Sequence, residues 1–387
     1  MSMTFQGYRR PDGHVGVRNH VVVMPGCICS AGAARKISAR SGATYLHNPN
    51  GCAQNARDTA VTLEILSGMI ANGNVYGALI VGLGCESIQE KNYMDAIRKK
   101  TNKPVYYISI QKEGGLGRTV DRGVALTAEL QAQAEKCQRE PCDISELILG
   151  MECGGSDPTS GFSINVVLGN TSDRIVDLGG TTVLCETPEA IGAENILKRR
   201  GATPEVGQRL YNMVMACEKL HLDAGEDVRN VNPSPGNKAG GLTTLEEKSI
   251  GCVHKSGTRP FQAAFEYGQM IDKKGLVFMD GTAYDVASTM SLIAGGAQVV
   301  VFTTGLGTPV GSAIAPVIKA TGNHHTFTWL NDILDFDSSE SISGAKTVEE
   351  LGGDLLDYIL RVCGGEEVKA EINGISDMAI NQFGSYC

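Results

Sequence analysis

GALIVGLG (Gly77–Gly84) is a run of apolar residues closed by glycines. Its hydrophobicity is continuous rather than alternating, which suits a strand buried on both faces of a parallel sheet. The same kind of run recurs on either side, at HVVVMP (His20–Pro25), PVYYISI (Pro104–Ile110) and ELILGM (Glu146–Met151). Further along come TTVLCE (Thr181–Glu186), GLVFMD (Gly275–Asp280) and AQVVVFTTG (Ala297–Gly305). Helical segments lie between them, among them Ala56–Ala71, Tyr93–Lys100, Arg122–Gln138 and Ala190–Arg200. Such alternation predicts an α/β protein with layered, Rossmann-like parallel sheets. QREPCDIS (Gln138–Ser145) ends a charged helix in Pro-Cys-Asp and marks a boundary. The expectation is two consecutive domains, an N-terminal α/β domain over 1–140 and a C-terminal α/β catalytic domain over 141–387.

Composition narrows the function. The 387 residues include 34 Lys+Arg against 43 Asp+Glu, a net charge of −9 without a basic cluster, which argues against nucleic-acid binding. No apolar run approaches the roughly 20 residues that span a bilayer. The opening MSMTFQGYRRPDGHVG lacks the apolar core of a secretory signal, so a cytoplasmic protein is expected. There, the 12 cysteines are buried thiols or metal ligands rather than structural disulfides. The 48 glycines are well above average usage and mark tight turns and places where backbone approaches a ligand.

Cys29, Cys85 and Cys153 each fall at or just beyond the carboxyl end of a predicted strand, where open α/β sheets bind ligands. Cys52 sits in HNPNGCAQ, a turn leading into a helix, with His47 just before it and Gln54 just after. Thiolates brought together from strand ends can ligate iron or zinc, although buried cysteines also simply fill space. Glu86 and Glu186 lie at the same ends and can bind a cation, act as acid or base, or orient a hydroxyl. GGSDPTSG (Gly154–Gly161), with Ser156, Asp157 and Ser160, can form an anion-binding nest of backbone amides. Neither it nor TTGLGTPVG (Thr303–Gly311), which contains Thr304, is a P-loop or a dinucleotide fingerprint. Asp223–Gly241 contains NPSPGNKAGG, an ordered loop that presents Asn237 and Lys238. Thr243 and Thr244 then open a helix with Glu246 and Glu247 in its first turn.

Taken together, GYRRPDGHVGVRN, GCAQ, GLGCE, ECGGSD, GGTTVLCETPEAIGAE, NPSPGNKAGGLTTLEEKSIG and FTTGLGTP resemble the altronate/galactarate dehydratase family, in consistent order from Gly7 to the C-terminus. The resemblance implies an iron-dependent hydro-lyase that turns a sugar acid, or a related 2-hydroxy acid, into its 2-keto-3-deoxy product. It implies iron on Cys29, Cys52, Cys85 and Cys153, as a mononuclear ferrous ion or an iron–sulfur cluster with one open iron. Cys252 is shared without an assigned role. The reaction needs a base at C2, from Lys238 or His47, and help for the leaving oxygen at C3, from Glu86 or Glu186. Gln54, Ser156, Asp157, Ser160, Asn237 and Thr304 are the expected substrate contacts.

Asn48 and Leu306 stand where the dehydratases carry a histidine and an arginine, which points to a different substrate. A C–S lyase subunit of the sulfolactate sulfo-lyase type is the alternative, and a non-catalytic metal- or ligand-binding subunit a second. The longer members carry a small β-rich domain ahead of the region matched here. A separately encoded small β-rich subunit and a homo-oligomer of this chain are therefore expected.

Overall fold

The computed structural model describes residues 3–386. Its strands are β1 (Thr4–Arg9), β2 (Val15–Gly16), β3 (His20–Pro25), β4 (Thr44–Tyr45), β5 (Val75–Gly82), β6 (Val105–Ser109) and β7 (Glu140–Asp143). They continue with β8 (Ile148–Cys153), β9 (Thr181–Leu184), β10 (Phe261–Phe265), β11 (Gly275–Met279), β12 (Val299–Thr303), β13 (Val317–Thr321) and β14 (Phe336–Asp337). A four-stranded sheet has the order β4-β3-β5-β6 and a seven-stranded sheet the order β10-β11-β9-β8-β12-β13-β14. Both are parallel throughout. The protein is thus an α/β fold with two parallel sheets, and each of the seven continuous apolar runs supplies a strand to one of them.

A third, antiparallel sheet, β2-β1-β7, ties the chain start to the segment between the two parallel sheets. β10 and β13 were less legible. VIKAT holds Lys319 fully inside the protein, its ammonium donating to the Val310 carbonyl at 2.8 Å, and burial pushes its pKa down to about 8. FQAAF is likewise interrupted by Gln262, so neither strand reads as a continuous apolar run.

The two sheets share a core. Helix Ala56–Ala71 carries Ile65, Leu66 and Met69 into a cluster with Met290, Leu292 and Ile293 of helix Asp285–Ala294. Close approach of these helices requires Gly68, where a Cβ would lie 2.4 Å from the Ala294 carbonyl oxygen. The N-terminus of helix Ala56–Ala71 is thereby placed beside the carboxyl ends of β8 and β11, where one large cavity opens. The tail completes that arrangement. Phe383 and Gly384 donate backbone N–H groups to Asp58 at 2.7 and 3.1 Å. The Gln382 amide and Tyr386 hydroxyl donate to Asn50 at 2.6 and 3.1 Å.

Candidate active site

β8 ends at Cys153, and β9 leads into Glu186, which has a left-handed backbone (φ 72°) that side chains rarely adopt. A single helical turn, Thr187–Ala190, then presents Glu189. From the other side comes helix Leu245–His254, whose N-cap Thr244 accepts from the Glu247 amide. It carries Lys248 and Cys252, and Lys255 follows directly after its last residue. One ligand atom from each of Cys153, Glu186, Glu189 and Cys252 can be chosen so that all lie within 4.8 Å of one another, and all four residues are buried.

Hydrogen bonds fix these groups. The Cys153 amide donates to Glu186 Oε2 at 3.0 Å, and its thiol lies 3.4 Å from Glu186 Oε1 and 3.5 Å from Glu189 Oε2. Lys255, fully buried, is ion-paired with Glu186. Lys248 Nζ donates to Glu189 Oε1 at 2.5 Å, Asn232 at 3.1 Å and Asn237 at 3.4 Å. Glu152, packed behind, accepts from Ser288 at 2.7 Å on one oxygen, and its other oxygen has no partner among the described residues.

The charges are strongly coupled. Burial raises the Glu186 carboxyl well above the ordinary range, against the pull of Lys255. Glu152 is raised for the same reason, with Glu186 adding repulsion. Burial opposes the Lys255 ammonium, but Cys153, Cys252 and Glu186 outweigh it and hold the group charged. A hydrogen bond between the two thiols holds Cys153 up and Cys252 down. At the cavity wall Asp285 is pushed up to about 6, chiefly by burial and then by Glu189. Asp280 is also raised by burial, partly offset by the Thr187 hydroxyl that it accepts.

Two cavities flank this cluster. The larger, about 1760 Å³, is lined by Glu189, Lys248, Asn237, Asp280 and Asp285 from the larger-sheet region, and by Arg57 from the smaller-sheet region. The smaller, about 230 Å³, is lined by Cys153, Cys252, Ser156, Asp157, Ser160 and again Lys248. The chemistry and spacing of the buried group are those that could hold a metal ion.

The residues expected from sequence therefore divide. Cys153, Glu186 and Asn237 belong to the cluster or its immediate contacts. Ser156, Asp157 and Ser160 line the smaller cavity, although Asp157 is committed to its own turn through Thr159 at 2.6 Å and the Ser160 amide at 3.1 Å. Thr304 is buried and holds its loop by accepting from the Gly307 amide at 2.9 Å.

The four expected metal cysteines do not form one compact donor set. Cys29, in the helical turn Ile28–Ser30 after β3, and Cys85, in the loop after β5, are exposed and Cys52 is half-buried, while Cys153 is buried at the end of β8 in the larger sheet. The Ser87 hydroxyl lies 3.7 Å from the Cys52 sulfur. Glu86 braces its own loop, accepting from the Leu83 and Gly84 amides and the Tyr107 hydroxyl at 3.0, 2.5 and 2.7 Å. Gln54 bonds Gly51 and Thr62, and His47 bonds Tyr45. Lys238 is exposed on the short helix Pro235–Ala239. Gln54, His47, Glu86, Lys238 and the three smaller-sheet cysteines line neither cavity.

The sequence reading assigns nothing to Glu189, Lys248, Lys255 and Asp285 and leaves Cys252 without a role. A signal was present. Lys248, Cys252 and Lys255 are spaced i, i+4, i+7, which puts them on one helical face.

Residues 144–386 match the family described as D-galactarate/altronate dehydratase, C-terminal, and residues 7–135 match D-galactarate dehydratase/altronate hydrolase, second domain. The chain belongs to the D-galactarate/altronate dehydratase family. Altronate dehydratase of Bacillus subtilis is 34% identical over 98% of this chain and 78% of its own length. Galactarate dehydratase (L-threo-forming) of Escherichia coli is 34% identical over 94% of this chain and 73% of its own. The (2R)-sulfolactate sulfo-lyase subunit beta of Chromohalobacter salexigens is 32% identical over 98% of this chain and 97% of its own. Membership makes the chain an enzyme of the lyase class, related to hydro-lyases. Among the described residues no helix is long and apolar enough to cross a membrane.

Proposed function

We propose that the chain dehydrates a sugar acid or related 2-hydroxy acid to a 2-keto-3-deoxy acid, with iron. The observation that carries this reading is the buried Cys153–Glu186–Glu189–Cys252 group, with two lysines, set in the wall between the cavities. Two thiols and two carboxylates suit ferrous iron better than a hard cation. Lys248 and Lys255 engage one oxygen of Glu189 and of Glu186, leaving the oxygens nearest the Cys153 thiol for the metal. When bound, iron would supply Lewis acidity toward the substrate carboxylate and hydroxyl.

The other roles fall to residues of the large cavity. Lys248, whose donors are taken by Glu189, Asn232 and Asn237, puts a fixed positive charge in the cavity wall that favours the substrate carboxylate, whose charge grows as the C2 proton leaves. Asp285, with its raised pKa, takes that proton in place of the solvent-exposed Lys238 and the distant His47. Asp280, at the other end of the same loop, replaces Glu86 and Glu186 in delivering a proton to the departing C3 hydroxide. A carboxylate pair placed in different environments divides the acid and base work in this way.

Sulfolactate cleavage is the second reading, favoured by the beta subunit whose length this chain matches almost completely. That similarity also supports a separately encoded small subunit. The test is anaerobic incubation with ferrous iron and a panel of aldonates, aldarates and sulfolactate, measuring 2-keto acid and sulfite, with and without small proteins that co-purify. Release of a 2-keto-3-deoxy acid supports dehydration. Sulfite without any dehydration product overturns it in favour of C–S cleavage. Iron and acid-labile sulfide analysis of the same protein separates a single iron from an iron–sulfur cluster.

A further inference from the structure

We infer that Cys153 and Cys252 close into a reversible disulfide when a hydroperoxide enters the smaller cavity of the metal-free protein, so that oxidation and metal loading exclude each other. The inference rests on reading the buried group as a metal site and adds a control on its loading. The two sulfurs come from separate elements, the end of β8 and helix Leu245–His254, and lie within 4.8 Å of each other. Thiols this near need little movement to bond, and the packing beside them can supply it. Ser160–Ile164 is a π-helical turn, and its Gly161 faces Gly251, the neighbour of Cys252, with no side chain between them.

Access is built in. Both residues are almost fully buried, yet both line the cavity of about 230 Å³, which has room for several molecules the size of water. Phe162, Ile250 and His254 line it too and are exposed, so it reaches solvent by a route of its own. Among the described residues Lys248 is the only one that lines both cavities, so a small oxidant does not have to cross the space given to substrate. The chemistry balances with hydrogen peroxide as the oxidant. One sulfur attacks a peroxide oxygen, the O–O bond breaks, and the released hydroxide takes the thiol proton and leaves as water. The second sulfur attacks the resulting sulfenic acid, the S–O bond breaks, and a second water departs with the second thiol proton. Two electrons pass from the sulfurs to the peroxide. The disulfide removes two of the four donors and leaves Glu186 and Glu189, which Lys255 and Lys248 already engage. Conversely, sulfurs held by a metal cannot join each other.

In the experiment, metal-free and zinc-loaded protein are treated with hydrogen peroxide, alkylated, and mapped by mass spectrometry without reductant. Zinc is the protecting probe because it binds thiolates without redox chemistry. Metal-free protein should yield the Cys153–Cys252 cross-linked peptide with loss of two thiols, and should lose the iron uptake that dithiothreitol then restores. Zinc-loaded protein should keep both thiols. Unlinked Cys153 and Cys252, under exposure that oxidises the exposed Cys29 and Cys85, overturn the inference. Equal cross-linking with zinc bound overturns the mutual exclusion. Reduced protein that binds neither metal yet still cross-links refutes the metal reading instead, and the disulfide stands.

Discussion

Replacing Lys255 by methionine removes the cation from the centre of the buried cluster while keeping most of the side-chain volume. Lys255 and its partner Glu186 have side chains only 0% and 1% exposed, so no solvent compensates the carboxylate left behind. Breaking a buried pair from one side costs about 3–5 kcal/mol. At about 2 °C per kcal/mol for a unit of this size, melting of the seven-stranded-sheet region should fall by about 6–10 °C. The sign with pH follows from Glu186. Its carboxyl is raised above the ordinary value, so its contribution to stability is fully present below the ordinary carboxyl range and is lost as pH rises through the folded value. Without Lys255 that value rises further, so the deficit of Lys255→Met should be smaller at pH 5 than at pH 8. Urea unfolding of wild type, Lys255→Met, Glu186→Gln and the double variant isolates the pair. The double variant should be no worse than Lys255→Met alone, with a coupling of at least about 2 kcal/mol. Losses that add within about 0.5 kcal/mol would refute a functional ion pair at the cluster's centre.

Four further outcomes are expected. Wild-type kcat/KM should rise with pH through about 6 as Asp285 ionises, and Asp285→Asn should remove that limb and about 10²–10⁴ of the rate; a limb surviving in the variant moves the base elsewhere. The same variant should be more stable than wild type at pH 8, because a carboxyl with a raised folded pKa costs stability above that value. Gly68→Ala should cost about 1–3 kcal/mol in urea unfolding, since the added methyl meets the Ala294 carbonyl oxygen at 2.4 Å; a neutral variant would show that the two helices separate freely. Cys252→Ser should lower the iron bound per chain after anaerobic reconstitution, measured by elemental analysis, and an unchanged content would place the iron away from the Cys153–Cys252 pair.

The fold class was legible because strand formation in a parallel sheet is signalled locally. His20–Pro25 and the helix Ala56–Ala71 have the bounds that their apolar runs indicate, and Thr244 caps the helix that its sequence announces. Lys319 and Gln262 hid two strands because each sets a polar residue into the apolar run: Lys319 is buried with its ammonium on the Val310 carbonyl, while Gln262 is half-buried and donates to the Pro260 carbonyl. The site was less legible for a related reason. Sequence alone places Cys29, Cys52, Cys85 and Cys153 at equivalent strand ends or turns, and it singles out Lys238 while giving no sign that Lys248 and Lys255 are buried. Which strand ends meet is decided by sheet order, which puts β8 between β9 and β12 and separates Cys153 from the edge of the smaller sheet. Lys248 and Lys255 are buried because Glu189 and Glu186 reach them from a turn distant in sequence. Apolar patterning and capping act over a few residues and are written in the chain. Convergence of charges depends on the packing of whole elements, and only the tertiary structure decides it.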